Sequence, residues 1–230
     1  MTREVAARSV KLVTRSVVCI SRAVGAGGED VGWAVAKRLG FLYVDEDVIA
    51  RAAARGGVDI ERVADEERRK SLVAGLLERL AEAGGAAVVA APPRVASDQP
   101  GSEAVRAFIR DAINEVADRG NAVIVAHAAS FAVGPGPRAL RVLITAPPET
   151  RSKRLAVSDG LSGQDAAQAI RRSDLDRIDY LKRFYDVSEE LPVHYDMVVN
   201  TDTISVDEAA DLIVQAATGW SADAVGAASE

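Results

Sequence analysis

The chain has 230 residues, 48% hydrophobic and 27% charged, with a formal net charge of −6 and a sequence pI near 5.1. That balance excludes a disordered chain and argues against a generic nucleic-acid-binding surface. A single cysteine, Cys19, excludes an internal disulfide, and no apolar run reaches the ~18 residues of a membrane-spanning helix.

Residues 1–16 lack the continuous apolar stretch of a secretion signal and read as a flexible leader, with a cytoplasmic location as the expectation. Val17–Ile20 is an apolar run of strand type, and Cys19 within it reads as core packing rather than a nucleophile. The turn Gly25, Ala26, Gly27, Gly28 follows, and a helix begins near Glu29 or Asp30. Strand, glycine turn and helix in that order aim backbone N–H groups and a positive helix end at one point, where a phosphate could sit. The usual phosphate loop carries a lysine after its last glycine, then a Ser or Thr for magnesium. Here Gly28 takes the lysine position, and Glu29 and Asp30 follow.

Val31, Ala34, Val35 and Leu39 recur at helical spacing, with Gly40 as the stop. Phe41–Val44 reads as a second strand ending at Asp45, and Asp47–Arg55 as a helix closed by Gly56 and Gly57. Residues 58–102 differ in composition. Glu61–Glu82 places Leu72, Val73, Leu76, Leu77 and Leu80 on one face of an amphipathic helix, Ala86–Ala91 is ambiguous between strand and helix, and Pro92, Pro93, Pro100 and Gly101 mark a loop. This part reads as a helical insertion lobe over the sheet edge, either a structural helix pair or a moving substrate lid.

Ser102 and Glu103 open a helix that turns Val105, Phe108, Ile109, Ala112, Ile113 and Val116 inward and stops at Gly120. Ala122–Ala126 and Leu140–Thr145 are strands buried on both faces, separated by a turn over Gly134, Pro135, Gly136 and Pro137. Glu149–Ala156 is helical, and Ser162 with Asp165 starts a helix that continues through Ala166–Phe184. Met197–Asn200 is the last strand, Val206–Ala217 the last helix, and residues 221–230 a loose tail. Strands alternating with helices at this spacing predict an α/β fold with a parallel sheet covered on both faces.

Five blocks in this order resemble the cytidylate-kinase-like branch of the P-loop nucleoside monophosphate kinases. They are Ile20, Ser21 and Arg22 with Gly25–Gly28, Leu39, Gly40 and Tyr43–Asp45; Val123–His127; Leu143–Pro147 with Arg151 and Arg154; Leu161 and Ser162 through Asp174, Arg177, Tyr180 and Tyr185; and Tyr195–Thr201. The resemblance implies a five-stranded P-loop kinase-like domain over residues 17–220, with the insertion at 58–102 and an arginine-bearing lid region at 158–190. It implies ATP and Mg2+ as donor and cofactor and a nucleotide or small phosphorylated molecule as partner, with no nucleic acid and no membrane. Three positions depart from the family, and two of them lose a cation: Glu29 stands where an arginine is usual, and Ala126 and His127 stand where the strand normally ends in Gly-Arg.

The candidate site residues follow from both readings. Gly25, Ala26, Gly27 and Gly28 offer phosphate-binding backbone, with Glu29 and Asp30 beside them. Asp30 could hold magnesium, or both acids could simply cap the helix. Arg22 is a substitute cation or a brace for the loop. Asp45 and His127 fall, by resemblance, on the acceptor side, and each has a structural alternative as a cap or a satisfied strand-end group. Arg172, Asp174, Arg177 and Arg183 match the lid, whose arginines close over transferred phosphate, although Asp174 and Arg177 could pair as i,i+3 surface neighbours. Arg22 and Arg177 are the expected catalytic cations. The functional expectation is a phosphotransferase acting on a nucleoside monophosphate or other small acceptor. The alternative is an inactive kinase-like nucleotide sensor or interaction module, in which the Glu61–Glu82 face could dock a second copy as a homo-oligomer.

Overall fold

Side chains alternate along the first strand, β1 (Val17–Arg22), and that alternation sorts the core into two layers. Val17 and Cys19 point to one face, where they meet Val44, Ala122 and Ile124 and the helical residues Phe108, Ala112, Val116 and Ala129. Val18 and Ile20 point to the other, against Val123, Val125, Val142 and Ile144 and the helical residues Val31, Val35, Ala209, Ala210 and Ile213. Both faces of the sheet are therefore covered, the arrangement expected of continuous apolar strands in a parallel sheet. The structure is a computed structural model and describes residues 15–46, 49 and 103–219.

The sheet has five parallel strands in the order β2-β3-β1-β4-β5, with β2 at Leu42–Asp45, β3 at Ala122–Ala126, β4 at Ala139–Thr145 and β5 at Met197–Asn200. β1 pairs Ser21 with Ala126 of β3 on one side and with Leu143 of β4 on the other. The helices are α1 (Gly28–Leu39), α2 (Glu103–Arg119), α3 (Ala129–Val133), α4 (Pro148–Asp159), α5 (Gly163–Tyr185) and α6 (Val206–Thr218). A short 3-10 turn covers Pro192–His194.

After β1 the chain enters α1 on one face; after β3 it enters α3 on the other. The two neighbouring strands thus send their connections apart, and a crevice opens between their C-terminal ends. Open α/β sheets bind ligands at such switch points. Buried in the middle of β1, the Cys19 thiol is pushed up to about 12 by desolvation, which leaves it un-ionised and unreactive at neutral pH.

The described strands fall where the sequence places them, with β1 running two residues further to Arg22. Two short elements were not expected. α3 has five residues and the 3-10 turn three, too few to show a helical repeat. The helix expected over Asp47–Arg55 (apart from Ile49), the lobe at 58–102, the leader to residue 14 and the tail from residue 220 lie outside the described residues.

Candidate functional site

The turn after β1 is held open by two glycines with left-handed backbone, Gly25 at φ +76° and Gly27 at φ +78°. A Cβ on Gly25 would also sit 2.7 Å from the carbonyl oxygen of Arg151, so that position is closed to any side chain for two reasons. The turn is tied down by Ala23 N–H donating to Ile144 O at 3.0 Å and Ala26 N–H donating to Ala23 O at 3.0 Å. Gly27 is the N-cap of α1, and no side chain caps it. Glu29 and Asp30 therefore do not occupy the helix-end donors as caps. Both are exposed in the first turn.

Glu29 instead reaches back to Arg22, with Oε1 2.7 Å from Nε. The contact is an ion pair without a well-aligned N–H, since Nε is buried and makes no hydrogen bond of good geometry. The stem of Arg22 lies across Gly28: a Cβ at residue 28 would come within 2.6 Å of Arg22 Cβ and 3.1 Å of its Cδ. The space that a side chain at the lysine position would start from is filled by Arg22. Gly28 and Arg22 are thus sterically complementary, and the cation that residue 28 lacks in sequence stands beside it in space.

Three arginines work around this turn, and all are engaged. Arg151, 5% exposed, donates from Nε to Ala146 O at 2.9 Å and from Nη1 to Val24 O at 3.3 Å, and grips Asp174 through two bonds of 2.8 and 2.7 Å. Arg154 donates to the hydroxyl and the carbonyl of Thr201 at 3.0 and 2.5 Å, and Thr201 Oγ1 donates to Ala26 O at 2.7 Å. α4 thus supports the turn through its arginines. Arg177, 7% exposed on α5, forms a bidentate pair with Glu190 and donates from Nη1 to Arg22 O at 3.2 Å and to His127 O, while its Nη2 approaches the Tyr195 hydroxyl at 3.3 Å. Burial works against the Arg177 charge and against that of Glu190, but their mutual hydrogen bonds and attraction win, holding Arg177 above and Glu190 below its ordinary value. Asp174 pairs with Arg151 rather than with Arg177, so the i,i+3 surface pair considered from sequence does not form. Arg172 is exposed, and Arg183 stacks over the Phe184 ring at 5.2 Å.

On the other side of the crevice stand the ends of β2 and β3. His127 follows β3 and meets Glu46, which follows β2. Glu46 Oε1 accepts the His127 backbone N–H at 2.9 Å, and Oε2 lies 3.0 Å from the ring Nδ1. Burial raises the Glu46 carboxyl, but the charge and hydrogen bonds of His127 and the charge of Arg22 outweigh it and bring the group down to about 2. Asp45 and Glu29 lie close enough to Tyr43 to hold its phenol, already raised by burial, further above its usual range. The crevice therefore brings together Arg22, Glu29, Asp45, Glu46 and His127, with Arg177 bridging the backbone of Arg22 and His127.

Sequence reasoning missed Glu46, Glu190 and Thr201. Glu46 lies in a run of acids, Asp45–Asp47, with nothing local to single it out. Glu190 finds its partner 13 residues away. Thr201 closes the fifth resembling block, and its position there was the available signal. Among the described residues no group of three or more His, Cys, Asp or Glu could hold a metal ion. Magnesium needs less: it is commonly held by one or two carboxylates together with substrate phosphates, and Asp30 in the first turn of α1 could supply one.

The family model for the cytidylate kinase-like family matches residues 17–203. A curated cytidylate kinase from Ignicoccus hospitalis is 39% identical over 89 residues, which is 38% of this chain and 50% of that protein. The chain thus spans about half the length of that curated relative. A crystal structure of an uncharacterized protein from Eubacterium ventriosum superposes with a TM-score of 0.61 at 15% identity, covering 90% of this chain and 100% of that one, a likeness of fold alone. With its glycine turn between β1 and α1, its parallel sheet and a family match over most of its length, the chain belongs to the cytidylate kinase-like family.

Proposed function

We propose that this protein binds ATP with Mg2+ at the turn Gly25–Gly28 and transfers the terminal phosphate to a small acceptor held between Asp45 and His127. The observation that carries the reading is the turn itself: two glycines at positive φ, an uncapped helix end, and Arg22 laid over Gly28. Phosphoryl transfer is chiefly positioning and charge neutralisation. Gly25, Ala26, Gly27 and Gly28 would offer backbone donors, Arg22 a cation, and Asp30 a ligand for magnesium, which when bound neutralises charge on the phosphate oxygens.

Charge decides whether the cradle can work. An unpaired carboxylate ~4 Å from a phosphate charge costs about 4 kcal/mol at an effective dielectric of 20, and a helix end returns only ~0.3–1 kcal/mol. Glu29 would therefore defeat the site if it stood alone. Its pairing with Arg22 removes most of that cost and holds the guanidinium at the turn. Arg172, exposed on α5, is the lid cation in this reading, with Asp174 and Arg177 positioning the helix. Magnesium-dependent release of ADP in the presence of an acceptor panel tests the proposal. Arg22→Ala should slow it by about tenfold or more, the loss of one charge-assisted contact. Absence of ADP release from well-folded wild-type protein across the panel contradicts it.

A second reading, a nucleotide-binding protein without turnover, is favoured by one observation. Arg151, Arg154 and Arg177 are all committed to protein partners. It predicts ATP binding with no ADP release.

A further inference from the structure

Glu46 and His127 form a carboxylate–imidazole pair at the C-terminal edge of the sheet, and its geometry specifies a proton acceptor. An ionised carboxylate has no proton to give. The 3.0 Å contact between Glu46 Oε2 and the ring Nδ1 therefore places a proton on Nδ1. The other carboxylate oxygen takes the backbone N–H of the same residue at 2.9 Å, so one side chain fixes both the ring and the chain it hangs from. A neutral imidazole with its proton on Nδ1 has its lone pair on Nε2. Among the described residues no group bonds that nitrogen, and the ring is 23% exposed. A carboxylate behind one ring nitrogen stabilises the imidazolium that forms when the other accepts a proton.

The pair is next to the phosphate turn. Arg177 Nη1 donates to the carbonyls of both Arg22 and His127, so the residue opening the turn and the histidine share one guanidinium nitrogen. The charge of Arg22 is felt at Glu46 itself. The charged and titratable groups at the pair are Arg22 from β1, with Glu29 from α1 upon it, Tyr185 from α5, and Arg177 with its partner Glu190, while Asp45 from β2 acts on Tyr43 and Arg110 from α2 on Tyr185. Arg177 already holds Glu190, and Arg22, paired with Glu29, is the cation given to the donor phosphates in the reading above. A phosphate-bearing acceptor calls for a guanidinium fork. Among the described residues this edge presents an imidazole lone pair, which accepts a proton from an alcohol, whereas a phosphomonoester oxygen is already ionised and needs no base.

We propose that the Glu46–His127 dyad takes the proton of an acceptor hydroxyl, so that the acceptor is an alcohol and not the phosphate of a nucleoside monophosphate. This rests on the ATP-binding reading above. The acceptor O–H gives its proton to His127 Nε2 as its oxygen bonds to the terminal phosphorus of ATP. The bond from that phosphorus to the bridging oxygen breaks, ADP leaves, and the imidazolium returns its proton to solvent. His127 touches the acceptor; Glu46 is a positioning residue acting through it.

The test uses the full chain and its variants His127→Asn and Glu46→Gln. Calorimetry with ATP and magnesium should give the same affinity for all three, which establishes that the variants fold and that the donor site stands apart. ADP release should then proceed with ribose, cytidine, glycerol or myo-inositol and not with CMP, UMP or AMP. His127→Asn should lower kcat about 100-fold, the low end for a general base, leave KM for ATP unchanged and remove the acid limb of the pH–rate profile. Long-range 1H–15N spectra of the His127 ring should show the proton on Nδ1 in the wild type and on Nε2 or both nitrogens in Glu46→Gln. Three results overturn the inference while ATP still binds: phosphorylation of the monophosphates but not the alcohols, His127→Asn turning over like the wild type, or a wild-type ring protonated at Nε2. Failure of ATP to bind any of the three proteins sinks the donor site first and this step with it.

Discussion

Gly32 shows how a single missing side chain positions the site. It lies on α1 facing β3, and a Cβ there would come within 2.4 Å of Val125 Cγ2. Helix and strand approach closely only because residue 32 has no side chain, and that approach sets where the start of α1 meets the turn. Gly32→Ala gains up to about 1 kcal/mol of helix propensity but overpacks a buried β-branched neighbour at ~1–3 kcal/mol. We expect a net loss of stability, read as a lower urea midpoint at unchanged m-value. Glu46 makes a second residue-scale prediction. Its carboxyl sits near 2 in the folded protein against an ordinary 4.5. The sign follows: a depressed carboxylate contributes stability that is present above about pH 4.5 and is lost as pH falls through 2. Glu46→Gln should therefore flatten the pH dependence of the urea midpoint in that window. An unaltered dependence would show that the pairing with His127 adds nothing to folding.

At the scale of elements, α5 is the part whose reading changes most between sequence and structure. Its arginines match a lid, and from sequence Arg177 is the expected transfer cation. In the fold Arg177 is buried and binds Glu190, the Arg22 carbonyl and the His127 carbonyl, which pins α5 to the ends of β1 and β3. Arg177→Ala should leave Glu190 and the Arg22 and His127 carbonyls without their cationic partner and cost about 3 kcal/mol, the low end for breaking a buried pair. Glu190→Gln, which keeps a neutral hydrogen-bond partner, should cost less. Equal stability of Arg177→Ala and wild type would return Arg177 to the role of a free lid cation. The local elements themselves were readable because their chemistry is local. Val17–Ile20 and Ala122–Ala126 are continuous apolar runs, and Ser162 caps α5 by accepting the Asp165 N–H. Partnerships such as Arg177–Glu190, Arg151–Asp174 and Glu46–His127 depend on which elements the fold brings together, and no spacing in the chain encodes them.

At the scale of the molecule, β1 lies in the middle of the sheet, and it and its neighbour β3 send the chain to opposite faces. That topology places the glycine turn and His127 at the same edge, although they are about a hundred residues apart in sequence. The alternation of strands and helices made the parallel sheet legible, and the glycine turn made one half of the site legible. The other half was hidden because Glu46 meets His127 only through the pairing of β2 with β3, while Arg22, read from the sequence as a substitute cation or a brace, lies packed across Gly28. Calorimetric titration of ATP with magnesium into the wild type and Gly25→Ala tests this account most directly. Gly25→Ala forces a Cβ against the Arg151 carbonyl and out of the left-handed backbone, closing the turn. The account predicts one ATP bound per wild-type chain and an affinity at least about tenfold weaker in Gly25→Ala, the loss of roughly one charge-assisted hydrogen bond. Wild-type protein that is folded and gives no heat with ATP, or a Gly25→Ala protein that binds as tightly, would contradict it.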